Sequence, residues 1–240
     1  MVEYPTISGY SFIAQIGHPP RIATTLFVGG CNLRCPMCIN RELVLNQREQ
    51  VSLDEAITAL KIRGEKIVSV SGGEPFADSH ILNLLEKLNS SGFMTAISTN
   101  GFYPDLLKEA IEAHLLYFVQ MDIKAIPTVE SYSAVSGVSL SEEDLAGFNE
   151  SLRFLRDECQ QKTSRYFRTT VCSKFVSKSD LFKIAELVGK GCIYVLQPFE
   201  IHQTLSASVA NPEYCVPFET LEEWACEINP LVMACVVRDV

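Results

Sequence analysis

Six short apolar, β-rich runs recur through the chain, each followed by a segment of helical period, and this alternation confines the sequence to parallel strands joined by helical crossovers. The runs cover 22–28, 66–70, 93–98, 116–121, 166–171 and 192–196. Between them, Ile81, Leu84, Leu85 and Leu88 share one helical face, as do Leu145, Phe148, Leu152 and Leu155, and Leu181, Ile184, Leu187 and Val188. Ser52 with Glu55 has the pattern of a capping box ahead of Ala56, Ile57 and Leu60. Pro104 suits the first turn of the helix carrying Leu107 and Ile111, where its missing N–H costs no hydrogen bond.

A closed eightfold barrel typically takes about 250 residues, and the pieces outside the six units are too short for two more complete ones. The expected fold is therefore α/β, a partial (β/α)6 barrel in a single domain spanning 1–240. Its core covers about 21–200, with short extensions at both ends. The last stretch carries a short helix around 221–225 and a strand over 231–237.

The net charge of -9, from 20 basic and 29 acidic residues, gives no basic footprint for a phosphate backbone, so nucleic acid is excluded as the expected partner. No basic stretch followed by an apolar run opens the chain, and the late apolar run 231–237 is too short for a bilayer, which points away from membranes and toward the cytoplasm. Nine cysteines, an odd number, then read as thiols rather than a disulfide framework. Cys159, Cys172, Cys192, Cys215, Cys226 and Cys235 are scattered and read as small buried hydrophobes.

The other three are clustered. After the first strand comes Gly29-Gly30-Cys31-Asn32-Leu33-Arg34-Cys35-Pro36-Met37-Cys38, with three and then two residues between thiols. Thiolates suit zinc and iron–sulfur clusters. A structural zinc normally takes four protein ligands, and no fourth Cys lies near, so a zinc knuckle would need His18 or another subunit. A 4Fe-4S cube on three thiolates leaves one iron for a small molecule that chelates through amine and carboxylate.

This spacing resembles the radical S-adenosylmethionine (radical SAM) superfamily. The resemblance implies a partial barrel of that type, one 4Fe-4S cluster on Cys31, Cys35 and Cys38, and reductive cleavage of S-adenosylmethionine to methionine and a 5'-deoxyadenosyl radical. Met37 stands where the family commonly has an aromatic residue against the adenine; a thioether can make the same apolar contact.

The other strand ends agree, since chemistry in βα barrels gathers at the carboxyl rim. Ser71-Gly72-Gly73-Glu74-Pro75 is similar to the family's glycine-rich motif, which contacts the methionine amino group, and so marks Gly72, Gly73 and Glu74. Further round the rim, Ser98 or Asn100 is placed for the ribose or amino-acid portion, and Lys124 or Arg168 for the carboxylate. Asp122 is placed to orient Lys124, and Gln197 ends the sixth strand. Each of these also reads as a strand-end cap or surface ion pair. His80, His114 and His202 carry no expected role.

From Arg21 to about Glu200 the chain looks like activating enzymes of glycyl radical enzymes, especially the anaerobic ribonucleoside-triphosphate reductase activating proteins. The likeness rests on 27–36 and 71–75, on Met121-Asp122-Ile123-Lys124-Ala125, on 167–171 and 195–197, and on Tyr132, Val135 and Gly137. It implies an anaerobic oxidoreductase that abstracts hydrogen from one glycine of a partner enzyme and draws electrons from a flavodoxin or ferredoxin-type donor. No Cys lies between Ile39 and Ser71, where some relatives carry extra clusters, so a single cluster is expected. Another short radical SAM enzyme, acting on a peptide or small molecule, and a non-catalytic metal-binding protein are the other readings.

Overall fold

The structure, a computed structural model, describes residues 2–16, 21–159, 163–201 and 204–238, without the side chains of 13–16, so His18 and His202 lie outside the described residues. Among the described residues, eight strands form one sheet in sequence order: β1 (Ile7–Ile16), β2 (Arg21–Val28), β3 (Ile67–Gly72), β4 (Met94–Thr99), β5 (Phe118–Asp122), β6 (Ser164–Val171), β7 (Ile193–Pro198) and β8 (Ala234–Val237). Strands β2 to β8 pair in parallel, and β1 pairs antiparallel with β2. The sheet does not close: β1 and β8 are its two edges.

The six expected strands are β2 to β7, and the strand foreseen near the carboxyl end is β8. What the expectation lacked is β1. Its run, with Gly9 and Ser11 inside it and two breaks in register against β2, shows no clean alternation for a sequence reading to find.

Helices α1 (Arg41–Val44) and α2 (Leu53–Arg63) link β2 to β3, followed by α3 (Ile81–Ser90) and α4 (Pro104–Glu112). Next come α5 (Val129–Ser136) and α6 (Glu142–Arg153), then α7 (Lys178–Val188) and α8 (Phe218–Ile228). Pro104 opens α4 as expected. The capping box expected at Ser52 is not formed: Ser52 is the N-cap of α2, but its side chain makes no cap bond. Reciprocal boxes form instead at Ser141 with Asp144 and at Ser177 with Asp180, each satisfying backbone donors that a first turn leaves open.

Strand periodicity builds the interior in layers, because residues two apart face the same side. Ala23, Ile67, Ala96, Phe118, Tyr166 and Val195, one from each of β2 to β7, form a small apolar cluster. Two residues further along each strand the lining turns polar: Thr25, Ser69, Ser98, Gln120, Arg168 and Gln197. Two further again, at or just past the strand ends, stand Phe27, Ser71, Asn100, Asp122, Thr170 and Phe199. The first layer is a plug, and the next two line a cavity of about 550 Å³ open at the carboxyl rim. That volume lies within the usual range for small-molecule sites.

Candidate active site

The cysteine loop crosses this cavity and is fastened from four directions. Gly30 N–H donates to Leu43 C=O (2.9 Å), and Gly30 C=O accepts from Glu74 N–H (2.8 Å). Arg34 N–H donates to Ser136 C=O (2.8 Å) at the end of α5, while Leu205 N–H and Ser206 N–H donate to Cys38 C=O (2.9 Å) and Pro36 C=O (3.0 Å). Gly137, with φ +68°, lets α5 end against the loop: a Cβ there would lie 2.2 Å from Arg34 O. The weak sequence signal at Tyr132 and Gly137 thus has a structural meaning. Tyr132 Oη accepts the Lys124 N–H (3.1 Å), so α5 braces both the cysteine loop and the end of β5.

Cys31, Cys35 and Cys38 all line the cavity, as does Met37, whose side chain is otherwise buried. Burial pushes all three thiols up, Cys31 to about 12 with the Glu74 carboxylate adding to the effect, while the Lys124 ammonium opposes it at each thiol. Leu33 N–H donates to Cys31 Sγ (3.4 Å). Three sulfur donors on one loop, with a cation facing them and room beyond, fit an iron–sulfur cluster. Among the described residues, no three His, Cys, Asp or Glu side chains gather around one point as a single ion would require. Thiolates bound to separate corners of a cube do not need to.

Glu74 is buried, and both its carboxylate oxygens are engaged. Oε1 accepts from Thr99 Oγ1 (2.7 Å) and Phe76 N–H (3.2 Å), and Oε2 accepts from Asn100 N–H (2.6 Å). Burial raises its carboxyl to about 7 against those bonds. Asn100 in turn donates from Nδ2 to Asn32 Oδ1 (2.7 Å), with Cys31 Sγ 4.0 Å away. Glu74 therefore locks the β3 and β4 rims together, and Asn100 joins that lock to the cysteine loop. Gly72 and Gly73 bring the β3 rim against the loop, and Gly72 C=O accepts from Asn40 Nδ2 (3.1 Å).

Across the cavity Asp122 forms a fork. One oxygen accepts from Arg168 Nε (2.9 Å); the other accepts from Arg168 Nη2 (3.1 Å) and Lys124 Nζ (3.3 Å). Burial alone would raise the Asp122 carboxyl, but Arg168 and Lys124 outweigh it and hold it at about 2. Asp122 orients Lys124, as the sequence reading expected, and it also takes the guanidinium of Arg168. Lys124 keeps donor capacity toward the thiols, whereas Arg168 commits Nε and Nη2 to Asp122. Ser98 lines the cavity wall, and Gln197 Oε1 is buried with no hydrogen-bond partner among the described residues.

A carboxyl held near 2 against an ordinary 3.8 contributes on the order of 2 kcal/mol above about pH 4, lost as pH falls toward about 2. Asp122→Asn is expected to lose this amount at neutral pH, as read from urea midpoints. Stability curves for the two proteins that stay parallel between pH 5 and pH 2 would remove Asp122 as the linchpin.

All thirteen residues marked by the sequence reading line this one cavity. Missed were Thr25, Ser69 and Gln120, whose signal was a polar residue at an inward position of an otherwise apolar strand. Arg238, which follows β8 and lies 5.4 Å from the Tyr166 ring centroid, was also missed.

A model of the radical SAM superfamily matches residues 25–129, the span from β2 through the Asp122–Lys124 rim. Residues 25–129 carry the likeness to the radical SAM superfamily. Members of this superfamily bind a 4Fe-4S cluster and S-adenosylmethionine, and the residues that line this cavity suit both. The chain is 26% identical over 198 residues to MJ1227 of Methanocaldococcus jannaschii, named as a proposed glycyl-radical enzyme activating enzyme. That match covers 81% of this chain and 80% of the relative. A local stretch of 72 residues, 30% of this chain and 33% of the relative, is 40% identical to 7-carboxy-7-deazaguanine synthase of Aquifex aeolicus. The fold matches Streptococcus suis SuiB bound to S-adenosylmethionine with a TM-score of 0.61 at 12% identity, over 88% of this chain and 48% of that one. Among the described residues, no helix is long and apolar enough to cross a membrane.

Proposed function

We propose that this radical SAM enzyme activates a glycyl radical enzyme, abstracting hydrogen from one glycine of a partner protein in the cytoplasm. The observation that carries the reading is the similarity to MJ1227, which runs along most of both chains, whereas the likeness to the deazaguanine synthase is local. In this reading Cys31, Cys35 and Cys38 hold the cluster. When bound, it supplies the electron that splits S-adenosylmethionine to methionine and a 5'-deoxyadenosyl radical.

The chain's own residues then have distinct tasks. Lys124, steadied by Asp122, offers its remaining N–H donors to the methionine carboxylate, and its charge favours the thiolate form of the three cysteines. Met37 gives an apolar surface for the adenine, and the Gly72–Gly73 backbone lies where the methionine amine would bind. The polar ring of Thr25, Ser69, Ser98 and Gln197 offers donors and acceptors that suit the N–H and C=O groups of an inserted peptide loop. Gln197 Oε1 is a buried acceptor with no donor among the described residues. A flavodoxin or ferredoxin-type protein supplies the electron.

The test is anaerobic reconstitution with iron and sulfide, then incubation with S-adenosylmethionine, a low-potential reductant and an anaerobic ribonucleotide reductase. Electron paramagnetic resonance follows the reductase. A glycyl radical signal there, with 5'-deoxyadenosine released, is the expected result. 5'-Deoxyadenosine without any glycyl signal would favour the second reading, a small-molecule radical enzyme, to which the local 40% identity points.

Lys124→Ala is expected to weaken S-adenosylmethionine binding about tenfold to a hundredfold, the worth of one charge-assisted hydrogen bond, while iron content stays unchanged. Calorimetric titration of the reconstituted protein reads the first quantity and an iron assay the second. Unchanged affinity would exclude Lys124 from the binding site.

A further inference from the structure

The six cysteines outside the cluster loop are not uniformly buried: Cys226 is exposed and Cys215 is half-buried. Nor are they all isolated. Cys172, immediately after β6, and Cys215, before α8, face each other across an isolated antiparallel bridge. Ser173 N–H donates to Tyr214 C=O (3.0 Å), so the bond spans the residues flanking the pair and the cysteines occupy the narrow, non-hydrogen-bonded position. At such positions the two Cα atoms lie about 4.5 Å apart with side chains on one face. This falls inside the window of about 4.4–6.8 Å that a disulfide spans. Lys174 fastens the same corner, its Nζ donating to Ser208 C=O (2.8 Å) and lying 5.3 Å from the Tyr214 ring centroid.

The segment that ends at Cys215 is one of the four supports of the cysteine loop. Leu205 and Ser206 make the backbone bonds to Cys38 and Pro36, and Leu205 C=O accepts from Arg41 Nη1 (2.9 Å). We propose that Cys172 and Cys215 form an intramolecular disulfide by exchange with a low-molecular-weight disulfide, and that this bond tethers the 204–215 strap across the cysteine loop.

Half-buried Cys215 reacts first, since Cys172 is wholly enclosed and burial raises its thiol. The Cys215 thiolate attacks one sulfur of oxidised glutathione, forming a mixed disulfide and releasing one glutathione thiolate. The Cys172 sulfur then attacks the Cys215 sulfur and expels the second. Two protein thiols are oxidised, one glutathione disulfide is reduced to two thiols, and the two protein protons pass to the glutathione thiolates.

The reconstituted holoenzyme is treated anaerobically with oxidised glutathione, its free thiols are alkylated, and it is digested with trypsin and Glu-C. The expected product joins peptide 169–174 to peptide 214–219, two hydrogens lighter than the separate pair. Hydrogen exchange over 204–213 is expected to slow by about tenfold in the oxidised protein, as a tether against local opening requires. Cys215→Ala should abolish the joined peptide and the slowing together while leaving iron content intact. Recovery of both peptides singly alkylated, or a joined peptide with unchanged exchange, would overturn the proposal.

Discussion

Cys35→Ala is expected to produce a folded protein that retains essentially no iron after reconstitution and releases no 5'-deoxyadenosine above background. Cys35 is the most enclosed of the three thiols, and its neighbours are fixed by backbone bonds to Ser136 and to 205–206, so no other donor can swing in to replace it. Two thiolates would be left to hold four irons. Because the cluster is required for every turnover, the loss should exceed about a thousandfold, as for removal of an essential group acting in a unit. Circular dichroism separates this outcome from unfolding. Normal rates of cleavage in the variant would refute the radical SAM assignment of these thiols.

Gly73→Ala should do comparable damage by a different route. A Cβ at Gly73 would lie 1.7 Å from Gly30 O and 2.6 Å from Gly30 C, both backbone atoms, so neither can rotate away. Relief requires parting the β3 rim from the cysteine loop, which breaks the Glu74 N–H to Gly30 C=O bond and strains that from Gly73 N–H to Val28 C=O. The expected cost is about 3 kcal/mol in unfolding free energy, with poor cluster retention in what remains folded. Gly191→Ala is the matched control, since a Cβ there meets nothing within 4 Å, and it should stay within about 0.5 kcal/mol of the parent. Equal melting of the two variants would show that the rim tolerates separation.

The sequence disclosed those parts of the molecule that are local. Each of β2 to β7 is a run of apolar or β-branched residues bounded by turn chemistry, and the expected residues lie at the carboxyl end of a strand, within its last residues or on the loop that follows, so locating the strands carried all thirteen to the same cavity. What stayed hidden depends on distant partners. Asp122 and Lys124 are two residues apart and readable as a pair, but the third member, Arg168, comes from the next strand, in register with Asp122. The opposition of Cys172 and Cys215 spans 43 positions and appears only once the chain has returned across the rim. Ser52 shows the converse error: local chemistry allowed a capping box, and tertiary packing of α2 holds without it.

The backbone bonds from Leu205 and Ser206 to the cysteine loop place the two ends of the construction far apart in time as well as in sequence. A ribosome emits the three thiols well over a hundred residues before the strap that closes over them. Until then the nascent chain displays a cysteine loop lacking two of its backbone fastenings. Cluster delivery that waits for the finished polypeptide meets a braced loop, whereas iron arriving during synthesis meets a loose one.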